Sequence, residues 1–195
     1  MESFFLNLGL SYTWSKALPY ILMIILGLLI GIYLFRKTKS KTIKIISVLL
    51  IGVPFGAYFA VNPIYQGDFS NESRTVEHSP ATSELTGKKL VVISLPGCGY
   101  CKESVERLKE VKKLHNKLEV EYVVTSTDSM TLEFYKEVIK GEFPLRLAEN
   151  PDEMTKLAQG RYPSFVLVNE KEPMTIWVNN TFGAMAMDEV VNHFR

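Results

Sequence analysis

Two long apolar runs dominate the N-terminal third of the chain. Residues 17–35 and residues 45–61 contain no charged side chain, and each run is close to the roughly 17–25 residues that span the hydrocarbon core of a bilayer. A core helix of a soluble protein would keep a polar face, which neither run has. Pro54 and its neighbouring glycines in the second run fit a membrane helix better than a soluble one. The pattern therefore predicts a hairpin of two transmembrane helices.

The charges around the two runs predict how this hairpin is oriented. The connecting residues 36–44 carry five basic side chains and no acid, and short loops of this kind stay in the cytoplasm. Residues 1–16 carry one basic side chain, Lys16. We therefore expect both termini outside the cytoplasm. A cleaved signal peptide is less favoured because its positive charge would precede the first run.

A polar stretch separates the apolar runs from the rest of the chain. Residues 62–87 are rich in Asn, Ser, Thr, Pro and mixed charge and show no apolar period, which is typical of a linker. We expect this stretch to be a flexible connection. The remaining residues, 88–195, have the usual length of one compact domain.

Apolar patterns of two kinds alternate within the predicted domain. In order, they predict a strand (89–95), a helix with the inner face Val105, Leu108, Val111 and Leu114, a strand (119–125), a helix from Asp128 or Ser129 to about 139, a short helix (150–160), two strands (164–169 and 174–179) and a last helix (185–194). A strand, helix, strand order implies a parallel pair with a right-handed crossover. The last two strands are close enough for an antiparallel hairpin. The pattern predicts an α/β fold with a mixed central sheet.

The only two cysteines of the chain, Cys98 and Cys101, stand together in the sequence SLPGCGYCKES. Cys98 lies where the first strand ends and the helix begins, so free backbone N–H groups and the helix dipole favour its thiolate form. Cys101 lies one turn further along the same helix, within reach of Cys98. An exposed thiolate that attacks and a neighbouring thiol that resolves are what dithiol–disulfide exchange requires.

Two cysteines so close together could also have other uses. A structural disulfide closing so short a loop would restrict the unfolded chain very little. A zinc site would need two more ligands, and His78, His115 and His193 do not offer a paired spacing. A binding or sensing module that keeps the motif without catalysis stays open. The 22 basic and 21 acidic residues nearly cancel, which argues against a nucleic-acid partner.

The strand, the CGYC sequence that opens a helix, and Tyr162-Pro163 ahead of a β hairpin and a last helix resemble the thioredoxin superfamily. Together with the membrane hairpin, they make the chain similar to the anchored extracytoplasmic thiol-disulfide oxidoreductases of bacteria. The resemblance covers residues 88–195 and implies a thioredoxin-like fold. It suggests a bacterial inner membrane, with the domain in the periplasm or at the cell exterior. It also implies Cys98 as the nucleophile, Cys101 as the resolving thiol, and no cofactor besides their redox-active disulfide.

The resemblance gives four further residues a role in holding the substrate. It implies that Pro163 is a cis proline lying against the disulfide and that Tyr162 helps to dock the substrate chain. An ordinary trans turn is the alternative for this pair. Gly99 and Tyr100, between the cysteines, are the residues of some bacterial periplasmic disulfide isomerases. They lack the proline of the strongly reducing C-G-P-C type and therefore favour a less reducing Cys98–Cys101 couple.

Two positions differ from the best-known pattern of the superfamily. Gly97 replaces the tryptophan that often precedes the first cysteine, and Val92 stands where thioredoxin carries a buried acid. Proton transfer to Cys101 therefore needs another group. Glu142 or Glu149 could supply it, although a solvated surface carboxylate is the alternative for each.

These observations lead to a functional hypothesis with one alternative. We expect a membrane-anchored enzyme that exchanges disulfides with protein thiols or disulfides outside the cytoplasm. A separate membrane protein would supply or accept electrons, because neither apolar run has a cysteine to relay them. The alternative is a non-catalytic thioredoxin-like module that docks on a membrane complex. Sequence leaves open the direction of electron flow, the substrate and the oligomeric state.

Overall fold

The computed structural model describes residues 2–39, 48, 51–169 and 172–195. Its helices are α1 (Glu2–Asn7), α2 (Tyr12–Lys37), α3 (Val53–Val61), α4 (Gly99–Leu114), α5 (Glu133–Ile139), α6 (Pro151–Ala158) and α7 (Ala184–His193). Its strands are β1 (Arg74–Val76), β2 (Lys89–Ser94), β3 (Val120–Val124), β4 (Leu145–Leu147), β5 (Ser164–Asn169) and β6 (Glu172–Val178). Short 3-10 turns lie at Gln66–Asp68, Pro80–Thr82 and Ser129–Leu132.

The strands form one mixed sheet in the order β1-β6-β5-β2-β3-β4. β2, β3 and β4 are parallel, whereas β5 pairs antiparallel with β2, and β6 with β5. The predicted α/β fold with a mixed central sheet is confirmed. β1 and β4 were missed, because three residues are too few to show an alternating pattern.

Both faces of the sheet are covered, which explains the continuous apolar run of β2. One face packs against α4 and α7 through residues that include Val92, Leu108, Tyr122, Phe165 and Trp177. The other packs against α6 through residues that include Val91, Ile93, Val166, Met154 and Leu157. A strand covered on both sides needs apolar side chains at successive positions rather than alternation.

The region predicted as a flexible linker, residues 62–87, is partly built into the domain. β1 pairs antiparallel with β6 at the edge of the sheet, and Leu85 is only 1% exposed. The indole Nε1 of Trp177 donates to Asn71 Oδ1 over 2.9 Å. Arg146 Nη1 donates to the carboxylate of Glu84 over 2.5 Å. The expectation that all of residues 62–87 form a flexible connection was therefore wrong. The anchoring elements are one three-residue strand and a few scattered side chains, which show no apolar period in the sequence.

The N-terminal segment also lies on the domain. The carboxylate of Asp188, in α7, accepts hydrogen bonds from the backbone N–H groups of Tyr12 and Thr13, at 2.6 and 2.9 Å. Lys16 forms an ion pair of 2.6 Å with the buried Asp68. These contacts satisfy free donors at the start of α2. Residues 1–16, which we expect to be an N-terminal extracytoplasmic segment, thus include the first turn of α2, and this turn is held by the domain.

Within the described ranges, α2 is the one helix long and apolar enough to cross a membrane. Most of its large apolar side chains, such as Ile25 and Leu29, are exposed. Of the second predicted span (45–61), the structure describes α3 and a few residues before it, and the remainder lies outside the described residues. The same holds for positions 40–44 of the predicted cytoplasmic loop.

The packing of α4 on the sheet gives a stability prediction. Leu108→Ala should lower the free energy of unfolding by about 2–5 kcal/mol, because Leu108 is 1% exposed and its removal leaves a cavity. Leu114 was predicted on the same inner face but is 44% exposed, so Leu114→Ala should change stability by about 0.5 kcal/mol or less. Urea unfolding of the full chain in detergent, followed by tryptophan fluorescence, measures both. Equal losses would contradict this placement of α4.

Candidate functional site

The loop between β2 and α4 carries the CGYC motif. Gly97 has a φ of +70°, in the left-handed region that favours glycine. A tryptophan with this φ would be strained, which gives a physical reason why glycine replaces the tryptophan that often precedes the first cysteine. The chain then turns into α4 with Cys98 as the N-cap residue. The loop therefore delivers Cys98 to the free N–H groups that open the helix.

The two cysteines form a disulfide but differ in exposure. Their Cα atoms are 5.3 Å apart, and the backbone N–H of Cys101 donates to Cys98 Sγ over 3.1 Å. Cys101 is fully buried, whereas Cys98 is half-buried. The N–H donor would also stabilise a thiolate at Cys98 after reduction. Of the two cysteines, Cys98 is therefore the one that a sulfur of another protein can reach.

Two polar side chains beneath the disulfide were missed by the sequence reasoning. Ser104 Oγ donates to the carbonyl of Cys101 over 2.6 Å and lies 3.0 Å from the hydroxyl of Tyr122. The hydroxyl of Ser104 has one proton, which it donates to the carbonyl of Cys101. The hydroxyl of Tyr122 must therefore donate to Ser104 Oγ. Burial raises the pKa of Tyr122 well above its ordinary value. The tyrosine therefore keeps its proton and holds the first turn of α4 in place.

A second tyrosine fixes the chain just before the motif. The hydroxyl of Tyr135, in α5, donates to the carbonyl of Leu95 over 2.6 Å. Burial raises the pKa of Tyr135 to about 12, so this donor also stays protonated. Thr125 adds a hydrogen bond from Oγ1 to the carbonyl of Ser94. The start of the loop is thus tied to two neighbouring elements.

Tyr162 and Pro163 lie at the same end of the sheet as the cysteines. The peptide bond between them is cis, as the resemblance implied. Ser164, the next residue, pairs with Ile93 of β2, which places Pro163 opposite the end of β2. The hydroxyl of Tyr162 donates to Thr155 Oγ1 over 3.0 Å. Between the cysteines, Gly99 and Tyr100 are exposed, and Tyr100 is 65% exposed.

The two suggested proton-transfer residues are not brought to the cysteines. Glu142 is exposed, and its Oε1 lies 3.5 Å from Lys109 Nζ. Glu149 is also exposed, and its backbone N–H donates to the carboxylate of Glu84. In the part of the chain that the structure describes, no hydrogen bond or ion pair joins either carboxylate to Cys101. Both are surface carboxylates. No group of three or more His, Cys, Asp or Glu side chains within the described ranges is placed to hold a metal ion.

Fold and site together define a thioredoxin-like α/β domain with a dithiol pair at the start of a helix. The family model for Redoxin matches residues 68–175, which is more than half of the chain. The chain belongs to the Redoxin family and so to the thioredoxin superfamily. The match begins inside the predicted linker, in agreement with the packing of that region. Membership of this family supports a redox function in general.

Several solved structures have a similar fold. A secreted disulfide oxidoreductase of Mycobacterium tuberculosis, homologous to E. coli DsbE, shows 18% identity and a TM-score of 0.42 over 62% of this chain and 93% of that chain. The thioredoxin domain of a Bacteroides vulgatus thiol-disulfide oxidoreductase shows 16% identity and a TM-score of 0.43 over 64% and 94%. These values describe a distant likeness, and the family assignment rests on the family model. No curated protein matches the chain.

The unequal exposure of the cysteines predicts unequal reactivity. After reduction, a Cys101→Ser variant, which keeps Cys98, should react with iodoacetamide about tenfold faster than Cys98→Ser, which keeps the buried Cys101. Mass spectrometry of the full chain in detergent at neutral pH measures both rates. Faster labelling of Cys101 would contradict the burial described here.

Proposed function

We propose that this protein is a membrane-anchored thiol-disulfide oxidoreductase that exchanges disulfides with proteins outside the cytoplasm. The observation that carries the proposal is the asymmetric cysteine pair, with half-buried Cys98 at the start of α4 and buried Cys101 behind it. Family membership supports a redox role.

In the reducing direction, the exchange has two steps. The Cys98 thiolate attacks one sulfur of a substrate disulfide, forming a mixed disulfide and releasing one substrate thiolate. Cys101, after losing its proton, attacks the Cys98 sulfur, which releases the second substrate thiolate and forms the Cys98–Cys101 disulfide. Two electrons pass to the substrate, and the reverse sequence oxidises a dithiol. The cysteine pair is the only redox group in these steps, and a separate membrane protein would restore it.

Substrate contact is assigned to the surface around Cys98. Tyr100 projects into solvent between the cysteines, and Gly99 leaves the backbone open to an approaching chain. Tyr162 and Pro163 lie at the same end of the sheet, where the carbonyl preceding the proline can accept a hydrogen bond from an extended substrate. The strand register supports this role, because Ser164 pairs with Ile93 and Pro163 therefore lies opposite the end of β2.

The anchor that we propose is the hairpin of α2 with the second apolar run. The ring of Tyr20 in α2 packs edge-on against Tyr58 in α3, with centroids 5.0 Å apart, and its hydroxyl donates to the carbonyl of Asn62. A Cβ at Gly27 would collide with the backbone carbonyl of Ile51. Close backbone approach at glycine is a common way for membrane helices to pack. These contacts support an antiparallel pair. The cytoplasmic placement of the connection is proposed from its five basic side chains alone.

The exchange mechanism predicts which cysteine variant accumulates an intermediate. In cells, Cys101→Ser should retain substrate proteins as mixed disulfides on Cys98, because the resolving thiol is gone. Non-reducing gels and mass spectrometry detect these adducts, and dithiothreitol should release them. Cys98→Ser is the matched control and should form few or none.

A redox titration provides the second half of this test. The full chain in detergent, equilibrated with glutathione buffers, should show one reversible two-electron couple. A potential near about −270 mV would indicate a reductant, and one near about −120 mV an oxidant or isomerase. Absence of a couple together with absence of adducts would contradict the enzyme and favour the non-catalytic docking module.

The proposed orientation makes a prediction of its own. A membrane-impermeant maleimide should label Cys98 of the Cys101→Ser variant in intact cells after mild reduction, because the domain faces outward. A cysteine placed at Lys39, within the basic connection, should be labelled only after lysis. If the cysteine at Lys39 were labelled in intact cells and Cys98 only after lysis, the proposed topology would be wrong.

A further inference from the structure

A pair of buried hydroxyl groups connects the first turn of α4 to the sheet. Ser104 Oγ donates to the carbonyl of Cys101 over 2.6 Å and accepts from the hydroxyl of Tyr122 over 3.0 Å. Ser104 is 2% exposed, and Tyr122 and Cys101 are fully buried. Hydrogen bonds therefore run without a break from a side chain of β3 to the backbone of Cys101.

The sheet fixes the position of the Tyr122 hydroxyl. Tyr122 lies beside Val92 in the parallel register of β3 and β2, and both residues belong to the buried cluster that contains Cys101. The ring of Tyr122 is stacked on Phe143, with centroids 5.8 Å apart. Because this ring is packed in the core, its hydroxyl is a fixed point to which the first turn of α4 is attached.

Packing of the ring does not account for the hydroxyl group. A phenylalanine ring would fill the same space, and a hydroxyl group that leaves water costs free energy unless it is hydrogen-bonded. Among the described residues, Ser104 is the hydrogen-bond partner of the Tyr122 hydroxyl. What this hydroxyl adds to the structure is therefore the connection to Ser104 and, through it, to Cys101.

The connection matters most when the disulfide is open. In the oxidised protein, the bond to Cys98 itself fixes the sulfur of Cys101. In a mixed disulfide with a substrate, that bond is absent, and Cys101 is held by noncovalent contacts near a helix start, where helices fray. An intramolecular attack is fast only when the reacting atoms are held close together and aligned. Loosening of this turn would therefore slow the attack by Cys101, whereas the earlier attack by Cys98 does not use the Cys101 sulfur.

We propose that Tyr122 and Ser104 are positioning residues for the resolving step of the exchange. They hold Cys101 where its thiolate attacks Cys98 Sγ, so that the bond between Cys98 and the substrate sulfur breaks and the substrate leaves as a thiolate. Two electrons pass to the substrate, and the proton that Cys101 loses ends in the surrounding solution. This inference rests on the proposed function, because it names the residues that serve one of its two steps.

An aromatic disulfide reagent, dithiobis(nitrobenzoate), separates the two steps in the reduced full chain in detergent. At equimolar concentration, attack by Cys98 releases one thionitrobenzoate, and resolution by Cys101 releases a second. Because the chain has no other cysteine, stopped-flow absorbance follows a bimolecular phase and then a unimolecular one. In Tyr122→Phe, the unimolecular phase should be about tenfold slower, and the bimolecular phase should change by about twofold or less.

The reduction potential gives an independent measurement, which a loss of stability shared by both redox forms does not change. If the effective concentration of Cys101 opposite Cys98 falls about tenfold, the potential in glutathione buffers rises by about 30 mV. Ser104→Ala removes the same connection and should give the same two changes. The double variant Tyr122→Phe/Ser104→Ala should add no further change, because both substitutions break one connection.

Thr82→Val is the matched control. Thr82 is 4% exposed, and its hydroxyl donates to the carbonyl of Ser79 over 3.1 Å. It precedes Leu85, which packs on the other face of the sheet. This substitution also removes a buried hydroxyl group but leaves α4 untouched, so both phases and the potential should be those of the wild type.

Three results would overturn the proposal. These are a wild-type unimolecular phase and potential in Tyr122→Phe, equal slowing of both phases in that variant, and the same slowing of the unimolecular phase in Thr82→Val. If Tyr122→Phe does not fold, as judged by circular dichroism, Ser104→Ala decides the question by the same criteria.

Failure of this inference is distinguishable from failure of the proposed function. A wild-type chain that releases only one thionitrobenzoate has no resolving step, which would contradict both. Normal resolution in Tyr122→Phe, together with a reversible couple in the wild type, would contradict the positioning role alone.

Discussion

The burial of β2 on both faces of the sheet is the constraint on which the site depends. With helices packed on both sides, β2 must run straight through the core, and the chain emerges only beyond Ser94. The antiparallel partner β5 starts at the same end, where Ser164 pairs with Ile93. Strand pairing thereby brings Cys98 and Pro163 to the same end of the sheet, although 64 residues lie between them in the sequence.

Attachment of the N-terminal helix to the domain is the second organising feature. Asp188 accepts from two N–H groups at the start of α2, and Lys16 pairs with the buried Asp68. Charge-assisted bonds at a helix start satisfy donors that would otherwise remain free. The domain is thus bound directly to the first turn of its proposed anchor and is not joined to it only through a flexible linker.

The groups around the cysteines suit exchange without a nearby acid. Val92 is buried where thioredoxin carries a carboxylate, and Glu142 and Glu149 lie at the surface. The polar pair beneath Cys101, Ser104 and Tyr122, is neutral and positions the helix. In the proposed exchange, the N–H groups at the start of α4 would stabilise the thiolate of Cys98.

Sequence alone determined the features that repeat over several residues or follow local chemistry. The β-branched run of β2, the apolar face of α4 and the spacing of Cys98 and Cys101 predicted the central sheet and the dithiol site. Only the tertiary structure decided the rest. β1 and β4 need neighbouring strands to exist, and Leu114 lies exposed in the last turn of α4. The backbone N–H groups of Tyr12 and Thr13 meet Asp188 only after the chain folds back. Such contacts join residues far apart in sequence, so no local pattern encodes them.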